Sequence, residues 1–108
     1  MTKIIALAVT LVTLGLAASA VAGDAEKGKA KAATCTPCHG ADGNSASPDF
    51  PRIAGQNADY MTHVLAHYKA GTKRKNAIMA AMVTNLSKQD IEDLAAYFSR
   101  QQGLYLKY

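Results

Sequence analysis

An all-α fold is what the sequence predicts, on three observations. Apolar residues recur at helical spacing over residues 57–70 and 87–102, and each stretch opens on a residue able to cap a helix. No segment alternates apolar and polar residues in the manner of a half-buried strand. Residues 40–56 carry Gly40, Gly43, Asn44, Ser45, Ser47, Pro48, Pro51 and Gly55, a density of turn formers that excludes regular structure and makes the stretch a loop.

The chain starts with a pattern expected to be an export signal rather than part of the working domain. Lys3 supplies a positive start, residues 4–18 form an apolar run broken only by threonines and one glycine, and Ala18-Ser19-Ala20-Val21-Ala22 offers small residues for cleavage after Ala22. A membrane span needs about 20 apolar residues, so the run is short for an anchor. Removing the first 22 of 108 residues leaves 86, residues 23–108, as one domain whose formal charge falls from +4 to +3 with the loss of Lys3. A chain this small buries only about 60% of its unfolded surface and is marginal without a metal, disulfide or cofactor. It has two phenylalanines and no tryptophan, so something other than large side chains should fill its core. The positive charge suits an anionic partner surface. It lacks the long basic run with interleaved aromatics of a nucleic-acid binder, and nucleic acid is excluded as a partner.

The first helix is expected from Asp24, a good cap, to about Thr34, in a composition of Ala, Lys and Glu. Gly28 interrupts it at a cost of about 1 kcal/mol against alanine, which marks a place where another element approaches too closely for a side chain. After the loop, Asn57 or Asp59 opens a second helix with Tyr60, Val64, Leu65 and Tyr68 in register, running to about Ala70 and stopping at Gly71. Residues 72–76 are charged and expected to be exposed, and residues 78–83 form a short apolar stretch without clear periodicity. The last helix has Ser87 as cap and Asp90 at its positive end. Ile91, Leu94, Ala95 and Phe98 form one stripe with Tyr97 beside it, and Gly103 is expected to end the helix after about Gln102.

Cys35-Thr36-Pro37-Cys38-His39 is the pattern of covalent haem attachment. Residues three apart in a helical turn face the same way, so both thiols can reach the vinyl groups of one porphyrin while His39 offers its imidazole to the iron. A dithiol redox centre would need a strand–helix context. A structural zinc site needs four ligands, and only three cluster here. A plain disulfide suits an exported protein but gives the following histidine no role. Haem is the favoured reading.

The sequence resembles the class I cytochromes c, and more narrowly one half of the dihaem cytochrome c4 family. The resemblance rests on the helix bearing Gly28, on Cys35 to Gly40, on Pro51-Arg52-Ile53-Ala54-Gly55-Gln56, and on Leu86-Ser87 followed by Asp93-Leu94-Ala95-Ala96-Tyr97-Phe98. It implies a small class I cytochrome c fold with helices packed around one covalent haem c, a single one because this sequence holds one attachment motif. In the family the second axial ligand is a methionine a few residues before the Leu-Ser that opens the last helix. Met79 lies seven before Leu86, Met82 only four, and Met61 sits in the middle helix, so the resemblance implies His39 and Met79 as axial ligands with Met61 and Met82 as core filler. It further assigns the Pro51 carbonyl to orient His39 and packs Leu94 and Tyr97 over Gly28. Arg52, Gln56 and Tyr60 could bond a haem propionate or could be ordinary loop and surface residues.

With both axial positions filled, the iron would have no site for a substrate. The expected function is therefore not enzymatic but single-electron transfer by a periplasmic carrier, expected to be a monomer. The alternative is a cytochrome subunit held tightly by a redox enzyme such as a flavoprotein dehydrogenase. Lys27, Lys29, Lys31 and Lys73-Arg74-Lys75 could steer a redox partner with an acidic docking surface, or could form solvated faces. His63 and His67, four apart, are read as surface residues and not a metal site. Metal analysis of the purified protein should find iron and no stoichiometric zinc. One zinc per chain beside the iron would overturn the reading of His63 and His67 as surface residues.

Overall fold

The computed structural model describes residues 23–103, so the expected export signal, as well as Tyr105 and Tyr108, lies outside the described residues. Among them the chain is helical and contains no strand: α1 (Ala25–Lys31), a 3-10 turn (Ala32–Thr34), α2 (Thr36–His39), α3 (Ala58–Ala70), α4 (Ala77–Val83) and α5 (Lys88–Ser99). No helix of the described residues is long and apolar enough to cross a membrane.

Helix α1 starts where local chemistry says it should, with the Asp24 carboxylate accepting the N–H groups of Glu26 and Lys27. Its most extensive packing is on α5, and Gly28 lies buried at the crossing. A Cβ at Gly28 would lie 1.9 Å from the Asp93 carbonyl oxygen and 2.8 Å from Tyr97 Cβ. The glycine is thus explained as expected, except that backbone at Asp93, rather than Leu94, shares the contact with Tyr97.

The Asp93 side chain is fully inaccessible. One carboxylate oxygen accepts the Asp24 N–H at 2.8 Å and the Gln89 amide at 2.9 Å, and the other accepts Lys31 Nζ at 2.6 Å. Lys31 also reaches Asp90 at 2.6 Å. This corrects the reading of Lys31 as a free docking charge, since it is used to close α1 on α5. Lys31, aided by the Ser87 N–H and hydroxyl, holds the Asp90 carboxyl down at about 2. The same ammonium, with the Asp24 N–H and Gln89, holds Asp93 lower still. Asp90 first and Asp93 second raise the Lys31 ammonium in return.

Helix α3 is capped by the Asn57 side chain and ends in Gly71 at φ +67°, the left-handed geometry a glycine adopts without strain. Residues 78–83, without periodicity in the sequence, lie within helix α4, whose cap is the Asn76 side chain accepting the Met79 N–H at 3.0 Å. Helix α5 opens on a full capping box between Ser87 and Asp90 and buries Ile91, Leu94, Ala95 and Phe98. It stops at Ser99, short of the expected Gln102. Its end is tied instead to the loop: the Gly55 N–H donates to the Phe98 carbonyl at 2.9 Å and Asn44 Nδ2 to that of Gln102 at 2.7 Å. Gly103 allows this approach, since a Cβ there would lie 2.6 Å from Ala54 Cβ and from Asn44 Oδ1.

The core is small. Ala32, Met61, Leu94, Ala95 and Phe98 form its main cluster, with Ile53, Leu65 and Leu86 packed partly against it, and Ala54, Val83, Ile91 and Ala96 are buried as well.

Two outcomes are expected of the α1–α5 crossing. Gly28→Ala should cost at least about 3 kcal/mol in denaturant unfolding of the holoprotein, because backbone rather than a yielding side chain stands in the way. A loss below about 1 kcal/mol would mean that the crossing opens freely. The second concerns acid. Carboxyls lowered in the folded state contribute stability above their unfolded value of about 4, and that stability is lost as pH falls through the folded values, here from about 4 to below 2. Asp93→Asn should therefore be less stable at neutral pH and show a shallower loss across that acid range. Parallel curves for variant and wild type would contradict the assignment.

Candidate functional site

The attachment motif folds as a turn and a half. Pro37 sits in the first turn of α2, where its missing N–H costs nothing, and the Cys35 carbonyl accepts the N–H of Cys38 at 3.3 Å and of His39 at 3.0 Å. The helix stops at Gly40, φ +86°. This short coil brings Cys35, Cys38 and His39 together on the wall of one cavity. Both cysteines are half-buried and are not joined to each other in a disulfide. Burial pushes the Cys35 thiol up, against a hydrogen bond from Thr34 that works the other way.

His39 is buried, and its Nδ1 stands 2.8 Å from the Pro51 carbonyl oxygen. A carbonyl only accepts, so Nδ1 carries the proton and the Nε2 lone pair is left available as a ligand. The Phe50 ring meets the imidazole edge-on at 6.5 Å. Pro51 is itself held by the loop around it, because the Gly43 carbonyl accepts the N–H groups of Ile53 at 2.8 Å and Ala54 at 3.1 Å. Gly43, at φ +84°, also lies where a Cβ would come within 3.0 Å of Phe98 Cδ1. The loop is thereby clamped on α5.

The cavity measures about 440 Å³ and is lined by residues from α2, the loop, α3, α4 and α5. Met79, half-buried on α4, lines it together with Cys35, Cys38, His39, Pro51 and Arg52. Met61 is core filler as expected, but Met82, on the cavity's edge, is 47% exposed and fills no core. Arg52 donates a long 3.4 Å bond from Nε to the Ser45 carbonyl, and Gln56 turns its side-chain oxygen to the Asn57 N–H. The Tyr60 hydroxyl accepts from Arg74, a residue the sequence offers only as one member of a charged run. His63 and His67 do not line the cavity, and their ring centres are 6.4 Å apart. Among the described residues no three His, Cys, Asp or Glu side chains gather as a metal site.

The donor set fits a covalently held haem. Two thiols lie a helical turn apart, a neighbouring imidazole has its far nitrogen fixed, and the walls include Ile53, Leu94 and Phe98 with a thioether at Met79. Cys35 and Cys38 would carry the thioether links and His39 would offer Nε2.

Comparison with known proteins agrees with this geometry. A family model described as Cytochrome c matches residues 25–101. Cytochrome c4 of Azotobacter vinelandii is 48% identical over 106 residues, covering 90% of this chain and 50% of that protein. Cytochrome c-554(548) of Halomonas halodenitrificans is 41% identical over 83 residues, covering 75% of this chain and 100% of its own length. The crystal structure of reduced recombinant cytochrome c4 from Pseudomonas stutzeri superposes with a TM-score of 0.73 at 48% identity, over 77% of this chain and 48% of that one. The chain thus spans about half the length of the cytochromes c4 it matches. With a helical structure of the class I kind and the Cys35-Thr36-Pro37-Cys38-His39 spacing of covalent haem c, the chain belongs to the cytochrome c family.

Proposed function

We propose that this protein is a periplasmic one-electron carrier whose haem c is attached through Cys35 and Cys38 and ligated by His39 and Met79. The observation that carries the reading is the gathering of these four residues on one cavity with His39 Nδ1 already bonded to Pro51. Residues 1–22 would be removed on export and residues 23–108 would be the working domain.

Haem c, when bound, supplies a one-electron Fe(III)/Fe(II) couple. The chain's residues set how that couple behaves. The bond to Pro51 holds the imidazole in one tautomer and one orientation, so its Nε2 lone pair is in place in both redox states. Met79 would offer its thioether as the second protein ligand, a soft donor that would favour the reduced state and leave no position open for substrate chemistry. The apolar lining limits the approach of water to the iron, which also favours the less charged state. Arg52, which lines the cavity, would supply positive charge to a haem propionate.

Lys27, Lys29, Lys73 and Lys75 are exposed and remain available to steer an acidic redox partner, whereas Lys31 is bound to Asp90 and Asp93. Such steering would appear as an association rate that falls with salt.

The test is the optical spectrum of the oxidised protein made in a host with haem-attachment machinery. A weak band near the red end, reporting methionine sulfur on ferric haem, should be present. In Met79→Ala it should vanish while the haem stays bound, and the reduction potential should fall. A wild-type protein that binds haem without this band would defeat the carrier reading in favour of an open iron site.

A further inference from the structure

Helix α4, which bears Met79, is a short helix on the cavity wall. Val83 is its single buried residue, and its main packing is on α3. Ile78 and Met82 stand 61% and 47% exposed. Side-chain bonds from α3 hold the segment at both ends. Ahead of it, the Arg74 guanidinium donates to the Tyr60 hydroxyl at 3.0 Å. The guanidinium carbon is 5.9 Å from the Tyr60 ring centre, the outer limit of cation–π attraction, so the hydrogen bond carries the contact. Beyond it, Lys69 Nζ donates to the Leu86 carbonyl.

The leading tie is aimed at Met79. Arg74 lies two residues before Asn76, and the Asn76 side chain accepts the Met79 N–H at 3.0 Å. A fixed Arg74 therefore fixes the cap, and the cap fixes the backbone of Met79. Tyr60, Arg74, Asn76 and Met79 all line the same cavity. Burial does little to hold α4, so an added hydrogen bond at its start changes the local opening of this segment without changing global unfolding in proportion.

We infer that Tyr60 and Arg74 are positioning residues that latch the start of α4 and thereby slow release of the Met79 sulfur. The inference rests on the reading of Met79 as an axial ligand. An exogenous ligand can enter only while the sulfur is away, so the latch governs the rate at which ferric protein takes up imidazole.

The experiment measures imidazole uptake by the ferric holoprotein in wild type, Tyr60→Phe, Arg74→Gln, the double variant, and Lys88→Gln as a remote loss of one charge. Uptake should rise at least about ten-fold in Tyr60→Phe and in Arg74→Gln, the effect of one lost hydrogen bond to a charged donor. The double variant should be no faster than either single, because both remove one contact. Lys88→Gln should match wild type. Urea midpoints, read in parallel, should move far less than the uptake rates. Unchanged uptake in both single variants, additive effects in the double, or a rise that merely follows the urea midpoint would each overturn the latch. The resting wild-type spectrum separates the two claims. If the sulfur band is missing, the ligand reading itself fails; if the band is present and uptake does not change, the latch alone fails.

Discussion

The contact of α1 with α5 at Gly28 is the constraint on which the structure depends. Backbone meets backbone there because no side chain intervenes, and the Asp93 carboxylate, sealed from solvent, is satisfied from three directions by Asp24, Lys31 and Gln89. A buried carboxylate without such partners would oppose folding, so the crossing forms in this register or at a large cost. Everything at the site follows from that register. The 3-10 turn and α2 continue directly from α1, so fixing α1 on α5 aims Cys35, Cys38 and His39 at the cavity.

The loop makes the other half of the frame by a different device. It has no regular structure, yet it is tied down bond by bond: the Gly43 carbonyl accepts two N–H groups, the Gly55 N–H donates to α5, and the Asn44 side chain seals the chain after α5. The result is a rigid carbonyl at Pro51, placed to bond His39. Secondary structure is not needed for precision when the turns are satisfied internally. What the frame encloses is the cavity that Cys35, Cys38 and His39 line, beside a small buried cluster of Ala32, Met61, Leu94, Ala95 and Phe98. For a chain of this size, folding and cofactor attachment are coupled on that account.

The legible parts of the sequence are those whose causes are local. Asp24, Asn57 and Ser87 cap helices through bonds to residues two or three positions away; Asp24 and Ser87 could be read directly, and Asn57 as one of two candidates with Asp59. Gly28 announced a close approach, though its exact partner, the Asp93 backbone, needed the structure. Helix α4 was not legible because seven mostly apolar residues carry no stripe, even though Asn76 is a cap like the others. The end of α5 was not legible because it is decided by contacts with Asn44, Ala54 and Gly55, more than forty positions away in sequence. Distance likewise hid the fate of two cations: Lys31 pairs with Asp93 across 62 positions and Arg74 reaches Tyr60 across 14, so both looked like members of solvated runs. The haem motif was read from spacing, whereas the Pro51 and Met79 roles came from family resemblance, since no local rule links them to His39.

The two sides of the cavity are built to different standards. His39 is fixed by a tight coil, by burial and by a carbonyl that is itself held in place, whereas Met79 rides on a short helix that buries one residue. Electron transfer demands that neither ligand move much between redox states, because each displacement adds to the barrier. The chain meets that demand on the histidine side by local backbone geometry. On the methionine side it has only long side chains reaching from α3, Tyr60 with Arg74 at one end of α4 and Lys69 at the other. On the proposed ligation by His39 and Met79, the constancy of the iron's environment is therefore limited by the methionine side. Substitutions along α3 that leave the core and the attachment motif untouched can alter it.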